Sequence, residues 1–248
     1  MAVGALVAGP PDAPAVVLIH GLGGTRHTWD RVLPLIEPHA RVHALDLGGG
    51  EAVEREADAA AALISAPAVL VGHSRGGLVA TAIAERHPGL ATKLILISPP
   101  WATASRLGVE GPLERALAVP VLGDLLWALA TEGQLRQGLA SAFAPGTPVP
   151  DRSVADLRAT GRHDLVASSR GIDAYLAAAP LAARLLACGV PAEVLFGDLD
   201  GRVAVPTPQA LPRTSVPGLG HMPPLEDPER IAGLILASPS EPARAPSV

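Results

Sequence analysis

The chain has 248 residues, 48% hydrophobic and 2% aromatic, with a formal net charge of −5. That length and apolar content exclude a disordered chain and suffice for a sizeable core built from Ala, Val, Leu and Ile. The acidic balance without a long basic run excludes a nucleic-acid binder, and a single cysteine, Cys188, excludes an internal disulfide or a metal-ligand spacing.

The N-terminus is apolar but carries no Lys or Arg before Arg26 and breaks at Pro10-Pro11, so no secretory signal is expected. No run of about 18 apolar residues free of Pro and charge occurs, so no membrane span is expected and the default location is cytoplasmic. Short apolar runs follow at 16–19, 41–45, 68–71, 94–97 and 193–196. Each ends in Gly or polar residues, as buried parallel strands do. Segments long enough for helices separate the first four, the clearest being 76–87, which stops at Pro88-Gly89. Strand–helix alternation predicts an α/β fold with a mostly parallel, doubly covered sheet.

The rhythm fails between 101 and 185. That stretch is helical in pattern but broken by Gly108, Gly111, Pro112, Pro120, Gly123, Gly133 and the run Ala144-Pro145-Gly146-Thr147-Pro148-Val149-Pro150. It predicts an inserted helical lid, leaving 1–100 and 186–237 as the core domain. Residues 238–248 read as a disordered tail. Cys188, in Leu185-Leu186-Ala187-Cys188, reads as a small core residue. Arg106, Arg115 and Arg136 in the insert read as solvated.

The strongest local signal is Val71-Gly72-His73-Ser74-Arg75-Gly76-Gly77, a G-x-S-x-G between a strand and a helix. With 26 glycines in the chain a bare match carries little weight, and the strand before and the helix after give it weight. A serine at so tight a turn is forced into a strained backbone, and neighbours without side chains let the turn close. His73 reads as a supporting or packing residue beside Ser74 rather than as the base. Arg75 matters through its backbone N–H, with a side chain that is structural or touches an acidic residue of the insert.

With this turn in place, the chain resembles the α/β-hydrolase superfamily, and within it the small lidded hydrolases. Three motifs carry the resemblance over about 16–100 and 190–236: His20-Gly21-Leu22-Gly23-Gly24, the Ser74 turn, and Gly220-His221-Met222-Pro223-Pro224-Leu225-Glu226-Asp227-Pro228-Glu229. The order nucleophile, acid, base is the one found in that fold. The resemblance implies Ser74 as nucleophile and His221, in a Gly-flanked loop before a helix over 228–236, as base. A serine hydroxyl needs such a partner near neutrality. His20, His27, His39, His43, His87 and His163 lack that context and read as surface or supporting residues. The acid is expected at Asp200 in preference to Asp198, three residues after the Gly that ends the fifth run. The alternative position, after Ile97, reads Ser98-Pro99-Pro100 and offers no carboxylate. Two backbone N–H groups, of Leu22 and Arg75, are implied as the oxyanion hole. Two features depart from the family pattern: the plain loop Asp46-Leu47-Gly48-Gly49-Gly50, and an N-terminal hairpin, expected over residues 3–17, that reads as truncated.

The resemblance calls for no metal and no cofactor. The apolar residues of the insert point to an uncharged, medium-sized ester, thioester or lactone as substrate, with Trp101, Trp127 and Met222 at its pocket. Two further readings stay open. The same residues can serve C–C bond hydrolysis, perhydrolysis or ring-closing acyl transfer, or the scaffold can bind a ligand without catalysis. The oligomeric state is not legible.

Overall fold

The computed structural model describes residues 3–50, 52–107 and 111–237. Seven strands form one sheet in the order β1-β3-β2-β4-β5-β6-β7. They are β1 (Gly4–Ala8), β2 (Ala15–Ile19), β3 (Arg41–Asp46), β4 (Ala68–His73), β5 (Ala91–Ile97), β6 (Ala192–Gly197) and β7 (Thr214–Val216). All neighbours run parallel except β1, which pairs antiparallel with β3. The five apolar runs of the sequence are β2 to β6. The hairpin expected over 3–17 is not made, because β3 lies between β1 and β2. β7 has only three residues, too short to leave a periodic signal.

Helices cover both faces. One buried cluster joins α2 (Val53–Ala61), α3 (Arg75–Arg86) and α8 (Leu181–Cys188) to Val17, Ile19, Leu70, Leu94 and Phe196. The other joins α1 (Leu33–Ile36) and α10 (Pro228–Leu236) to Val16, Leu18, Val69, Val71 and Ile95. The strands alternate because successive side chains point to opposite faces. Trp29, which ends a 3-10 turn over Arg26–Trp29, lies in the second cluster with 0% exposure.

Between β5 and α8 the chain leaves the sheet for α4 (Pro112–Ala118), α5 (Leu122–Leu129), α6 (Glu132–Ala140) and α7 (Asp151–Ala178). Gly161, at φ 74 and ψ 159, breaks α7 into two helices. The boundary expected at 185/186 falls inside α8, and Ile172, Tyr175 and Leu176 of α7 already join the core cluster. Partly buried Cys188 packs against the same cluster. Arg106 is not solvated: its side chain is 8% exposed and pairs with Asp173 and Ser169 of α7. Arg136 pairs with Asp151 at the surface. Gly108 and the tail expected at 238–248 lie outside the described residues. Among the described residues no single helix is long and apolar enough to cross a membrane.

Candidate active site

β4 is buried along its whole length and delivers Ser74 to the carboxyl edge of the sheet. Ser74 has φ 52 and ψ −121, in a region that only glycine enters freely. The turn is held on both sides: Ser74 N–H donates to Ile97 O at 2.8 Å, and Gly77 N–H donates to Ser74 O at 2.9 Å. Flanking glycines are required sterically. A Cβ on Gly72 would lie 2.4 Å from Gly76 O, and one on Gly76 would lie 2.2 Å from Ile19 O. Arg75 opens α3, so its backbone N–H stands at the positive end of that helix. Its guanidinium pairs with buried Glu56 of α2, in the core rather than in the insert.

Three side chains that are distant in sequence meet above this edge. Ser74 Oγ lies 2.9 Å from His221 Nε2, and His221 Nδ1 lies 2.8 Å from Asp200 Oδ2. Asp200 follows β6, and its other oxygen accepts the N–H groups of Arg202 at 2.8 Å and Val203 at 2.9 Å. With no donor to spare on a carboxylate, His221 carries its proton on Nδ1 and leaves Nε2 to accept from the serine. Burial pushes the Asp200 carboxyl upward, but its bond to His221 and the two backbone donors outweigh this and hold it below its ordinary value. Asp198, the alternative acid, instead accepts Gly218 N–H at the surface. Ser74, Asp200 and His221 are 8%, 9% and 6% exposed, so the group is largely shielded from water.

The 20–24 loop packs against this centre. A Cβ on Gly21 would lie 3.0 Å from Ser74 Cβ, which sets Leu22 one residue from the hydroxyl's carbon. Of the two roles open to His20, surface or supporting, it takes the second: its Nδ1–H donates to Gly21 O, and its Nε2 accepts Leu47 N–H at 2.9 Å. Burial lowers its pKa and keeps it neutral. The plain 46–50 loop thereby has a role in the packing, since Asp46 also accepts Arg26 N–H at 2.8 Å. Thr25 Oγ1 donates to buried Asp156 of α7 at 2.9 Å, fastening the insert to the same loop.

His73 supports the base directly. Its Nε2–H donates to His221 O at 2.7 Å, and its pKa is lowered to about 3, by burial first and by the neighbouring His221 second. Glu226, at the end of α9 (Pro223–Glu226), accepts three backbone N–H groups around the base loop. Its role was invisible in the sequence because one partner, Ala144, lies 82 residues away. Of the expected pocket residues, Met222 follows the base and is half-buried. Trp101 donates its indole N–H to Ala204 O at 2.7 Å, and Trp127 on α5 carries the Arg158 guanidinium 5.7 Å from its ring centroid. Among the described residues no three His, Cys, Asp or Glu side chains gather as a metal site.

Comparison with known proteins bears on this arrangement. The profile of the Alpha/beta hydrolase family matches residues 16–234. The pimeloyl-(acyl-carrier protein) methyl ester esterase of Neisseria meningitidis serogroup A is 40% identical over 131 residues, 49% of this chain and 41% of that protein. The chain thus spans under half the length of that relative. The protein of the same name from Vibrio atlanticus is 31% identical over 221 residues, 82% of this chain and 84% of its own. A solved thermophilic esterase from Thermogutta terrifontis superposes with a TM-score of 0.73 at 21% identity, covering 94% of this chain and 91% of that one. At that identity the likeness concerns the fold alone. By the extent of the family match, the chain belongs to the alpha/beta hydrolase family.

Proposed function

We propose that this protein is a serine hydrolase that cleaves carboxylic esters through an acyl-enzyme on Ser74. The observation that carries the reading is the unbroken, largely buried chain of short contacts from Ser74 Oγ through His221 to Asp200. Ser74 Oγ attacks the ester carbonyl carbon while His221 Nε2 takes its proton. The negative charge that develops on the carbonyl oxygen is met by the Leu22 and Arg75 backbone N–H groups. His221 then returns the proton to the leaving alcohol. Water, deprotonated by the same nitrogen, releases the acid and restores Ser74. Asp200 fixes the imidazole tautomer and stabilises the positive charge that forms on His221.

The substrate is an uncharged, medium-sized ester whose apolar part lies along Met222, Trp101 and Trp127. The names of the relatives support a narrower form of this reading, a small alkyl ester on an acyl chain borne by a carrier protein. Replacing Ser74 with Ala is expected to lower kcat by about 10⁴–10⁶ if the three groups act as a unit. A fluorophosphonate is expected to label wild-type protein at Ser74 and to leave the variant unlabelled. Turnover of p-nitrophenyl and methyl esters of graded chain length then fixes the acyl preference. Unchanged turnover in Ser74→Ala would overturn the proposal.

A further inference from the structure

We propose that Glu226 is a positioning residue for His221: its carboxylate fixes the main chain on both sides of the base and fastens that loop to residues 142–144. This rests on the reading of Ser74, Asp200 and His221 given above. Bonds to the two ring nitrogens orient an imidazole only if its Cα is already in place. From 217 to 222 the chain has neither helix nor strand and contains Gly218 and Gly220, so nothing regular holds it. A displacement of about 1 Å is enough to cost on the order of 10²-fold in rate.

Four backbone groups around the base find specific partners. His221 N–H donates to Ala142 O at 2.9 Å, and His221 O accepts from His73. Gly220 N–H and Met222 N–H, one residue to either side, both donate to Glu226 Oε2, at 3.0 and 3.2 Å. The other oxygen, Oε1, accepts Ala144 N–H at 2.6 Å. One carboxylate therefore bridges the base loop and the segment that follows α6. The close approach of those segments is visible at Gly220, where a Cβ would lie 2.5 Å from Ala144 N. Pro223 starts the four-residue α9, whose turn brings residue 226 back to face 220 and 222. All three partners are donors, so the site needs an acceptor on both sides. A carboxylate meets that need, whereas the amide of glutamine would set its own N–H against a backbone N–H.

The test compares full-length wild type, Glu226→Gln and Glu226→Asp for thermal midpoint, kcat and KM on a p-nitrophenyl ester. It adds the low-field proton resonance of His221 Nδ1–H. Glu226→Gln is expected to lower kcat by about 10- to 100-fold, to keep KM within about threefold, and to shift or broaden that resonance. Glu226→Asp, which keeps the charge but not the reach, is expected to fall between the two. In an Asp200→Asn background, where the base is already misaligned, Glu226→Gln should cost less than about threefold more. A lower midpoint with wild-type kcat and an unmoved resonance would overturn the proposal, as would an undiminished loss in the Asp200→Asn background. If Glu226→Gln does not fold, wild-type kcat in Glu226→Asp overturns it equally. Failure here is distinct from failure of the hydrolase reading, in which wild-type protein would not be labelled at Ser74 at all.

Discussion

Ser74 and Val121 are both non-glycine residues at positive φ, 52° and 64°, and their surroundings could hardly differ more. Ser74 is 8% exposed, bonded to Ile97 and Gly77, and flanked by glycines that abut neighbouring main chain. Val121 joins α4 to α5 at 80% exposure, beside the local bond from Leu122 N–H to Pro120 O, with Arg162 of α7 bonded to Leu117 O before it and Asp124 after it. Its neighbours Leu122, Leu125 and Leu129 are exposed too. A strained conformation persists where tertiary structure over-determines it. At the serine, the sheet, α3 and the first loop all impose it. In the insert a local turn and the Arg162 side chain that spans it hold an exposed residue, and the strain there serves nothing described in the fold.

Three measurements can break or sharpen that contrast. The largest effect is expected for Gly76→Ala, whose new methyl meets the Ile19 main chain, which no rotamer change relieves. It should cost about 3 kcal/mol or more in urea unfolding or prevent folding, and a near-neutral result would show that the Ser74 turn tolerates slack. Next is pH. His73, lowered to about 3, stays neutral in the folded chain, and buried His20 is lowered as well. Below their ordinary value of 6.5 the unfolded chain takes up protons that the folded chain refuses. Stability is therefore intact above that pH and falls as the pH drops, by up to about 1.4 kcal/mol per unit for each histidine. Urea midpoints between pH 7 and 5 measure the slope, and His73→Gln should flatten it. Smallest is Val121→Gly, expected to stabilise by about 1 kcal/mol by removing the left-handed strain, without changing turnover. A destabilised variant would mean that the exposed valine is held by packing after all.

The same contrast explains what the sequence disclosed. β2, β4, β5 and β6 were legible because their central residues are buried on both faces, which writes an apolar run, and β3 despite half-buried His43 because Val42, Ala44 and Leu45 are buried. Ser74 and Asp200 stood out at strand exits marked by glycine, and His221 by its Gly-flanked loop before a helix and the family resemblance. β1 and β7 were not: one pairs on the far side of β3, and the other is three residues long. The side chains that fasten the corner were hidden for a different reason. Glu56, Glu226 and Asp156 look like ordinary helical surface acids until their partners arrive from elsewhere in the chain: Arg75, the Ala144 N–H and Thr25. Arg106 was misread in the same way, since Asp173 covers it from 67 residues away.

The shortage of aromatic side chains has a practical consequence for spectroscopy. The chain has three tryptophans, and each reports on a different place. Trp29 is sealed under the sheet with its indole nitrogen unpartnered, an environment that shifts emission to the blue. Trp101 is hydrogen-bonded where the insert departs, and Trp127 rides on α5 beneath Arg158. Retaining one indole at a time therefore yields three optical probes, able to tell whether the sheet, the junction and the helical excursion melt together or in turn.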